Sequence, residues 1–322
     1  MALRNSPARE LVLAAVRSEA DKALVDRIRL VSDWEQFLQL SRELRVAPRV
    51  YLNLSRFGPF DRLPKNYQRA LKATFENNLG HNIACSSLLI RLVEILGKGG
   101  VEVALLKGIA YMHDCYSDPG ERVVGDLDLL IREEKINAAT SILLAQCFNI
   151  NPAWALKHPG HHHIAPIQDE SGVTFEIHHN LAPASAPVAV SNRSLWKRMR
   201  PCAAVSGAYM LDPVDALIHS CIHLMVSSPI VNQVYQLVDI HQLVETHFNS
   251  EESFSRLMER AREFSCVTFV NQALILTRRF LGAPRRFPPS HDSGGKPFLL
   301  HMATATIAGP TAGRWRYELY RD

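Results

Sequence analysis

Two aspartates interrupt an apolar run between residues 123 and 131, which has the sequence VVGDLDLLI. The valine, leucine and isoleucine residues around them predict a buried β-strand over Val123–Ile131. Because side chains alternate between the two faces of a strand, Asp126 and Asp128 are expected to project together, with the intervening leucine facing the core. Two adjacent carboxylates repel each other and raise each other's pKa, so a neighbouring cation is needed. A hard divalent ion that prefers oxygen ligands, such as Mg²⁺, meets that need.

A third acid, Glu176, interrupts a second apolar segment, TFEIH at residues 174–178. Glu176 is predicted to lie on the strand face opposite Phe175 and Ile177. If this strand pairs beside the strand of the two aspartates, three carboxylates converge, and such a set can hold metal ions against a nucleoside triphosphate. Acids on an exposed sheet edge are also ordinary, so the spacing alone leaves both interpretations open.

Helical periodicity is the main signal outside these two strands. Before them, helices are predicted over residues 7–30, 33–44 and 66–96, the last with a break near Gly80. A strand at 101–106 and helices at 108–116 and 133–147 follow, and then a hairpin of residues 162–167 and 173–178. Helices are expected to return after residue 190, and a loop rich in proline, glycine and serine covers 283–297. We therefore expect an N-terminal helical region over 1–98, an αβ core over 99–190 and a C-terminal helical region over 191–322.

The composition narrows the class of protein. A chain of 322 residues that is 47% hydrophobic suits one large domain or two smaller ones, and nothing in it indicates disorder. The six cysteines are scattered and form no CxxC pair, which predicts reduced thiols and a cytoplasmic location. A net charge of +4 is too small to indicate a concentrated basic face, so no nucleic-acid partner is expected. The sequence has no uninterrupted apolar stretch of about 18 residues, so no membrane span is predicted.

Three short motifs together carry a family resemblance: LLKG at 105–108, RVVGDLDLL at 122–130 and FEIH at 175–178. In this order, with a helix after the first, they resemble the uncharacterised nucleotidyltransferase family of the polymerase-beta-type superfamily. The resemblance covers roughly residues 95–185. It implies an α+β fold, in which a small mixed β-sheet nucleotidyltransferase core is embedded between N-terminal and C-terminal helical regions.

The resemblance also implies a set of site residues. Asp126, Asp128 and Glu176 would be the catalytic metal triad for Mg²⁺, with Mn²⁺ as an alternative ion. Gly108 would open the helix after the first strand and turn its amides towards a triphosphate, because a helix N-terminus favours anions. The family's usual Gly-Ser or Gly-Gly is Gly108-Ile109 here, so the serine that would touch a phosphate is missing.

Further polar residues are candidates for nucleotide binding. Lys107 and Arg122 are the cations best placed in the sequence to meet phosphates. His178 is expected to share a strand face with Glu176 and to line the cleft, as is His162 or His163. A zinc site built from these histidines stays open, although their spacing matches no closed zinc site.

The predicted activity is Mg²⁺-dependent transfer of a nucleoside monophosphate from an NTP to a hydroxyl or phosphate acceptor, with release of pyrophosphate. The acceptor is not identified, and a peptide or a small molecule is the leading candidate. One alternative is a non-catalytic nucleotide- or partner-binding protein on the same scaffold. A metal-dependent phosphohydrolase that uses the histidines is a third hypothesis.

Overall fold

The computed structural model describes residues 6–17, 22–57, 60–151, 161–226 and 234–282. The chain forms two compact units, and each is discontinuous in sequence. One unit comprises residues 1–77, 220–249 and 268–322, and the other comprises residues 78–219 and 250–267. The predicted loop over 283–297 lies outside the described residues.

The second unit contains a six-stranded mixed β-sheet, which confirms the predicted α+β fold class. The strands are β1 Val103–Leu106, β2 Leu127–Leu130, β3 Ile167–Gln168, β4 Thr174–His178, β5 Arg200–Pro201 and β6 Ala208–Met210. Their order in the sheet is β3-β4-β2-β1-β6-β5. The pairs β1–β2, β3–β4 and β5–β6 are antiparallel, whereas β2–β4 and β1–β6 are parallel.

Twelve α-helices lie within the described residues, together with short 3₁₀ turns at Phe60–Arg62 and Glu133–Lys135. They are α1 Pro7–Ala15, α2 Lys22–Leu30, α3 Trp34–Glu43, α4 Ala47–Arg56, α5 Lys65–Lys98, α6 Lys107–Asp114, α7 Ile136–Ala145, α8 Asn192–Trp196, α9 Pro213–Val226, α10 Val234–His247, α11 Glu251–Glu263 and α12 Val267–Leu281.

In the first unit, buried polar side chains of α4 donate hydrogen bonds to the backbone carbonyls at the carboxyl end of α1. The Arg49 Nε donates to the Val16 carbonyl at 2.6 Å, and the Asn53 amide donates to the Ala15 carbonyl at 2.8 Å. The last carbonyls of a helix have no partner within that helix. Because the donors from α4 bind these carbonyls, the chain avoids the free-energy cost of burying them without a hydrogen bond.

Helix α5 runs without interruption from Lys65 to Lys98, so the predicted break near Gly80 is wrong. A helical glycine costs about 1 kcal/mol relative to alanine, which is too little by itself to end a helix that is anchored by buried side chains on both sides of the glycine. Leu71 and Leu89 are fully buried on either side of Gly80. By length and composition alone α5 could also cross a membrane, but such a test is equally passed by core helices of soluble proteins.

The strand predicted over 123–131 is shorter in the structure and begins at Leu127. Its antiparallel partner β1 pairs Leu106 with Asp128 and then turns into α6, so residues before Leu127 have no strand beside them on that side. Asp126 therefore precedes β2. The short strands β5 and β6 were also missed, because two- and three-residue strands carry too little periodicity to be recognised.

Two asparagines of α5, Asn78 and Asn82, hold the loop that leads to β2. Asn82 donates its side-chain amide to the Pro119 carbonyl at 2.5 Å and to the Arg122 carbonyl at 2.7 Å. Asn78 donates to the Gly120 carbonyl at 2.8 Å and to the Arg122 carbonyl at 3.0 Å. These four bonds fix the backbone path of residues 119–122.

We expect Asn82→Ala to lower the free energy of unfolding by about 1–3 kcal/mol, because it removes the two hydrogen bonds that the buried Asn82 side chain donates to the Pro119 and Arg122 carbonyls. Urea unfolding followed by circular dichroism measures this change. Asn77→Ala, at an exposed position of the same helix, is the control and should stay within about 0.5 kcal/mol of the wild type. Equal stability of the two variants would contradict the role assigned to Asn82.

Candidate active site

The parallel pairing of β2 with β4 brings two of the predicted acids side by side. In this register Asp128 lies opposite Glu176, and Leu130 lies opposite His178. The leucines on either side of Asp128 are fully buried in the core, so the polar side chains emerge on the other face, as the alternation predicts. The site is thus built by two strands whose acids are far apart in sequence.

Asp128 is buried and accepts two charge-assisted hydrogen bonds. The Lys107 Nζ donates to its Oδ1 at 2.7 Å, and the His178 Nε2 lies 2.8 Å from the same oxygen. Burial acts to raise the pKa of Asp128, but the Lys107 charge and the His178 hydrogen bond hold it well below its usual range. The carboxylate is therefore ionised at neutral pH.

Glu176 faces two imidazoles. Its Oε2 lies 3.4 Å from the His178 Nε2 and 3.4 Å from the His163 Nε2. Burial acts to raise the pKa of Glu176, but the His178 hydrogen bond and the approach of the His163 ring lower it below its ordinary value. Its side chain is 17% exposed, compared with 4% for Asp128, so Glu176 is the more accessible of the two acids.

Four histidine rings are grouped beside these acids. The ring centroids of His162 and His163 lie 5.1 Å and 4.9 Å from that of His178, and the His161 ring lies 4.1 Å from the His163 ring. Burial lowers the pKa of His162 to about 2 and that of His163 to about 4. Both rings are consequently neutral at physiological pH.

Lys107, Gly108 and Arg122 meet at the start of α6. Helix α6 begins at Lys107, one residue before the predicted position, and Gly108 lies in its first turn. The Arg122 guanidinium packs so close that a Cβ on Gly108 would lie 3.4 Å from its Nη2. The site therefore has a buried cationic group beside a helix N-terminus, an environment that favours anions.

Lys107 also has an unusual backbone conformation. Its φ is 49°, in the left-handed region that residues other than glycine rarely adopt. Such conformations cost about 1–3 kcal/mol and persist where the surroundings impose them, often at functional sites. Here the ion pair with Asp128 is the interaction that holds the lysine in place. Burial acts to lower the pKa of Lys107, but Asp128 raises it overall, so the ammonium stays charged.

A family model for uncharacterised nucleotidyltransferases matches residues 31–282, which is most of the chain and includes every residue of this site. The chain belongs to the uncharacterised nucleotidyltransferase family. The resemblance inferred from the three motifs is thereby confirmed, and nucleotidyl transfer is the general role of this enzyme.

Two further comparisons complete this result. No curated protein matches the chain. Among solved structures it is similar to an antigenic nucleotidyltransferase-like protein from Paracoccidioides brasiliensis, with 14% sequence identity and a TM-score of 0.33. That match covers 55% of this chain and 87% of the other.

The donor set of the nucleotidyltransferase fits a divalent cation. Ligand atoms of Asp128, Glu176 and His178 all lie within 4.8 Å of one another. Carboxylate oxygens are the ligands that Mg²⁺ prefers. Asp126, at the bend before β2, is half-buried and close enough for its charge to raise the pKa of Lys107, but it is outside this group of three.

Sequence reasoning did not identify the residues that position the site. The paired asparagines of α5 were missed, and so was Asn192, which donates to the Ile131 carbonyl at 3.2 Å and to the His179 carbonyl at 2.5 Å. Asn78 and Asn82 are four residues apart on one helix face, a polar pair that could have indicated a contact. Asn192 carries no comparable local signal.

The lowered pKa values of His162 and His163 predict how stability depends on pH. Below the unfolded value of about 6.5, the unfolded chain binds protons that the folded chain excludes, so the free energy of unfolding falls as the pH decreases. For His163 this loss continues down to the folded value of about 4. We expect a contribution of about 1 kcal/mol from each of the two histidines between pH 6.5 and 5.

Urea unfolding of metal-stripped protein at pH 7.5, 6.5 and 5.0 measures this dependence. His162→Gln should show a shallower fall than the wild type, whereas the exposed control His81→Gln should retain the wild-type fall. An unchanged slope in His162→Gln would show that the ring is not held neutral.

Proposed function

We propose that this nucleotidyltransferase moves a nucleoside monophosphate from an NTP to a hydroxyl or phosphate acceptor in a Mg²⁺-dependent reaction. The observation that supports this most directly is the β2–β4 register that pairs Asp128 with Glu176, because Asp128 also contacts Lys107, the first residue of α6. Two ionised carboxylates beside a helix N-terminus and a buried lysine suit a metal-bound triphosphate. An unidentified peptide or small molecule is the proposed acceptor.

Asp128, Glu176 and Asp126 are the residues that would hold the metal. When bound, Mg²⁺ neutralises phosphate oxygens and polarises the phosphorus that is attacked. Asp128 and Glu176 are assigned to the ion because their oxygens share the small volume defined by the two strands. Asp126 is assigned to the same ion because it lies directly before β2 and its charge raises the pKa of Lys107.

Lys107 has a second task in this proposal. Its ammonium neutralises Asp128 in the structure, and it lies at the first turn of α6, where phosphate oxygens would meet the helix amides. The Arg122 guanidinium beneath Gly108 adds positive charge to the same end of the helix. His178 orients Asp128 by its hydrogen bond, so that one carboxylate oxygen has a fixed direction.

The reaction itself is a displacement at the α-phosphorus. A new bond forms between the acceptor oxygen and the α-phosphorus while the bond from that phosphorus to the bridging oxygen of the β-phosphate breaks. Pyrophosphate leaves with the bonding electrons, and the proton of a hydroxyl acceptor passes to solvent. Such reactions depend mainly on positioning and on neutralising charge, which is what the described side chains supply.

Substitution of the acids tests the mechanism. With labelled NTPs, Mg²⁺ and the protein, the measured quantities are released pyrophosphate and label transferred to the protein or to added acceptors. Asp128→Asn is expected to lower turnover by about 100-fold or more, because it removes charge where the ion binds. Glu134→Gln, at an exposed acid just after β2, should retain wild-type turnover. Equal activity in Asp128→Asn and the wild type would remove the proposed mechanism.

Lys107→Ala separates nucleotide binding from chemistry. Loss of a charged hydrogen bond to phosphate is worth about 1.5–3 kcal/mol, so KM for the NTP should rise about tenfold or more. Lys98→Ala, at an exposed lysine, is the matched control and should leave KM unchanged. If Lys107→Ala lowered kcat without changing KM, the lysine would have no part in binding the triphosphate.

A further inference from the structure

A short segment around the start of α5 concentrates positive charge. Residues 62–72 have the sequence RLPKNYQRALK, with four cations and no acid, whereas the whole chain has a net charge of only +4. Three of these cations lie within α5 at spacings of three and four residues, so they share one face of the helix. The four residues, here called the basic row, are Arg62, Lys65, Arg69 and Lys72, and all of them are exposed.

Acidic side chains do little to neutralise the basic row. Within the part of the chain that the structure describes, Arg62, Lys65 and Arg69 have no acidic partner. Lys72 forms a pair with Glu76 at 3.5 Å, but both side chains are 58% exposed. A surface pair of this kind contributes little, because water and salt screen it. The row therefore presents positive charge to a partner.

The stability of α5 does not explain the basic row. Lys65 is the first residue of the helix, and Arg69 follows one turn later. A cation near a helix N-terminus opposes the helix dipole, and two like charges four residues apart repel each other. Both effects destabilise α5, so the row has a cost within the chain that an external anion would relieve.

Aromatic side chains lie beside the basic row. The Tyr51 ring of α4 packs against Phe60, in the turn before α5, with the ring centroids 5.3 Å apart, and against Phe75 of α5 at 5.1 Å. These three residues, here called the ring cluster, are only half-buried. Phe75 follows Lys72 by three residues, so the two are neighbours on the surface of α5. Aromatic residues and arginine are the types that protein interfaces favour.

The packing of the rings distinguishes between two classes of anionic partner. Single-stranded nucleic acids are held by bases that stack on open ring faces. The Tyr51 and Phe60 planes lie at 83°, so the edge of one ring meets the face of the other, and the Phe75 plane is tilted by 40° against Tyr51. The rings thus cover one another and offer no flat platform, which favours the apolar side chains of a polypeptide over bases.

We propose that the basic row and the ring cluster form a docking surface for an acidic helical segment of a partner protein. Carboxylates on one face of a helix repeat at the same three- and four-residue spacing as the cations of the row, so several ion pairs form together. An apolar side chain of the same segment packs on the ring cluster. The surface belongs to the first compact unit, and it is independent of the proposed function.

Peptide binding to the full-length protein tests this surface. The probe is a fluorescein-labelled helical peptide with glutamates on one face and leucines beside them, and fluorescence anisotropy measures its affinity. Binding that weakens as salt is added is expected, because exposed charges are screened. Lys65→Glu combined with Arg69→Glu should weaken binding about tenfold, since each exposed ion pair is worth up to about fivefold and reversal replaces attraction with repulsion.

Arg193→Glu combined with Lys197→Glu is the matched control, because these two cations are also exposed and four residues apart. This variant should bind the peptide as the wild type does. The variant of the basic row is expected to fold, since an acid in the first turn of α5 favours the helix dipole. Circular dichroism checks that it does.

Equal peptide affinity in the row variant and the wild type would overturn the proposal, as would a lack of peptide binding at low salt. A peptide with glutamine in place of glutamate should lose its affinity, and retained affinity would show that charge is not recognised. A single-stranded oligonucleotide of the same charge is the comparison ligand. Tighter binding of the oligonucleotide, lost in the row variant, would assign the surface to nucleic acid and overturn the assignment to a polypeptide.

Discussion

The parallel pairing between β2 and β4 is the constraint on which the site depends. A register shift of one residue would turn Asp128 and Glu176 to opposite faces of the sheet, because the side-chain period of a strand is two residues. The same register puts His178 beside Leu130 on β2, from where its ring reaches the Asp128 carboxylate. The hydrophobic faces of both strands specify this register, since a slip would expose Leu129 or Phe175 to solvent.

Charge compensation makes that arrangement tolerable within a folded protein. An isolated buried carboxylate is expensive, and Asp128 is stabilised by a lysine and a histidine that approach from two different elements. The left-handed backbone of Lys107 fits this account, because the lysine must leave β1 and turn at once to reach Asp128. The asparagines of α5 also contribute to this charge compensation, because they fix the loop that carries the Arg122 guanidinium.

Several features of the site were predictable because they are local. The alternation around Glu176 identified a strand with one polar face, and the structure gives that strand the predicted burial pattern. The turn at residues 169–172 joins β3 to β4 as its sequence indicated. Predictions failed where a partner elsewhere in the chain decided the outcome. The strand around Asp128 is shortened because β1 ends, and α5 continues past Gly80 because buried residues such as Leu71 and Leu89 anchor the helix on both sides.

By itself the sequence determined the type of each main element, the strand faces that Asp128 and Glu176 occupy, and the family to which the motifs belong. Only the tertiary structure decided that Lys107 pairs with Asp128, that Arg122 packs on Gly108, and that His163 faces Glu176. The physical reason is that periodicity acts over a few neighbouring residues, whereas these contacts need strand pairing and helix packing across large sequence separations. His178 and Asp128, for instance, are 50 residues apart, and no local pattern encodes which ring nitrogen meets which oxygen.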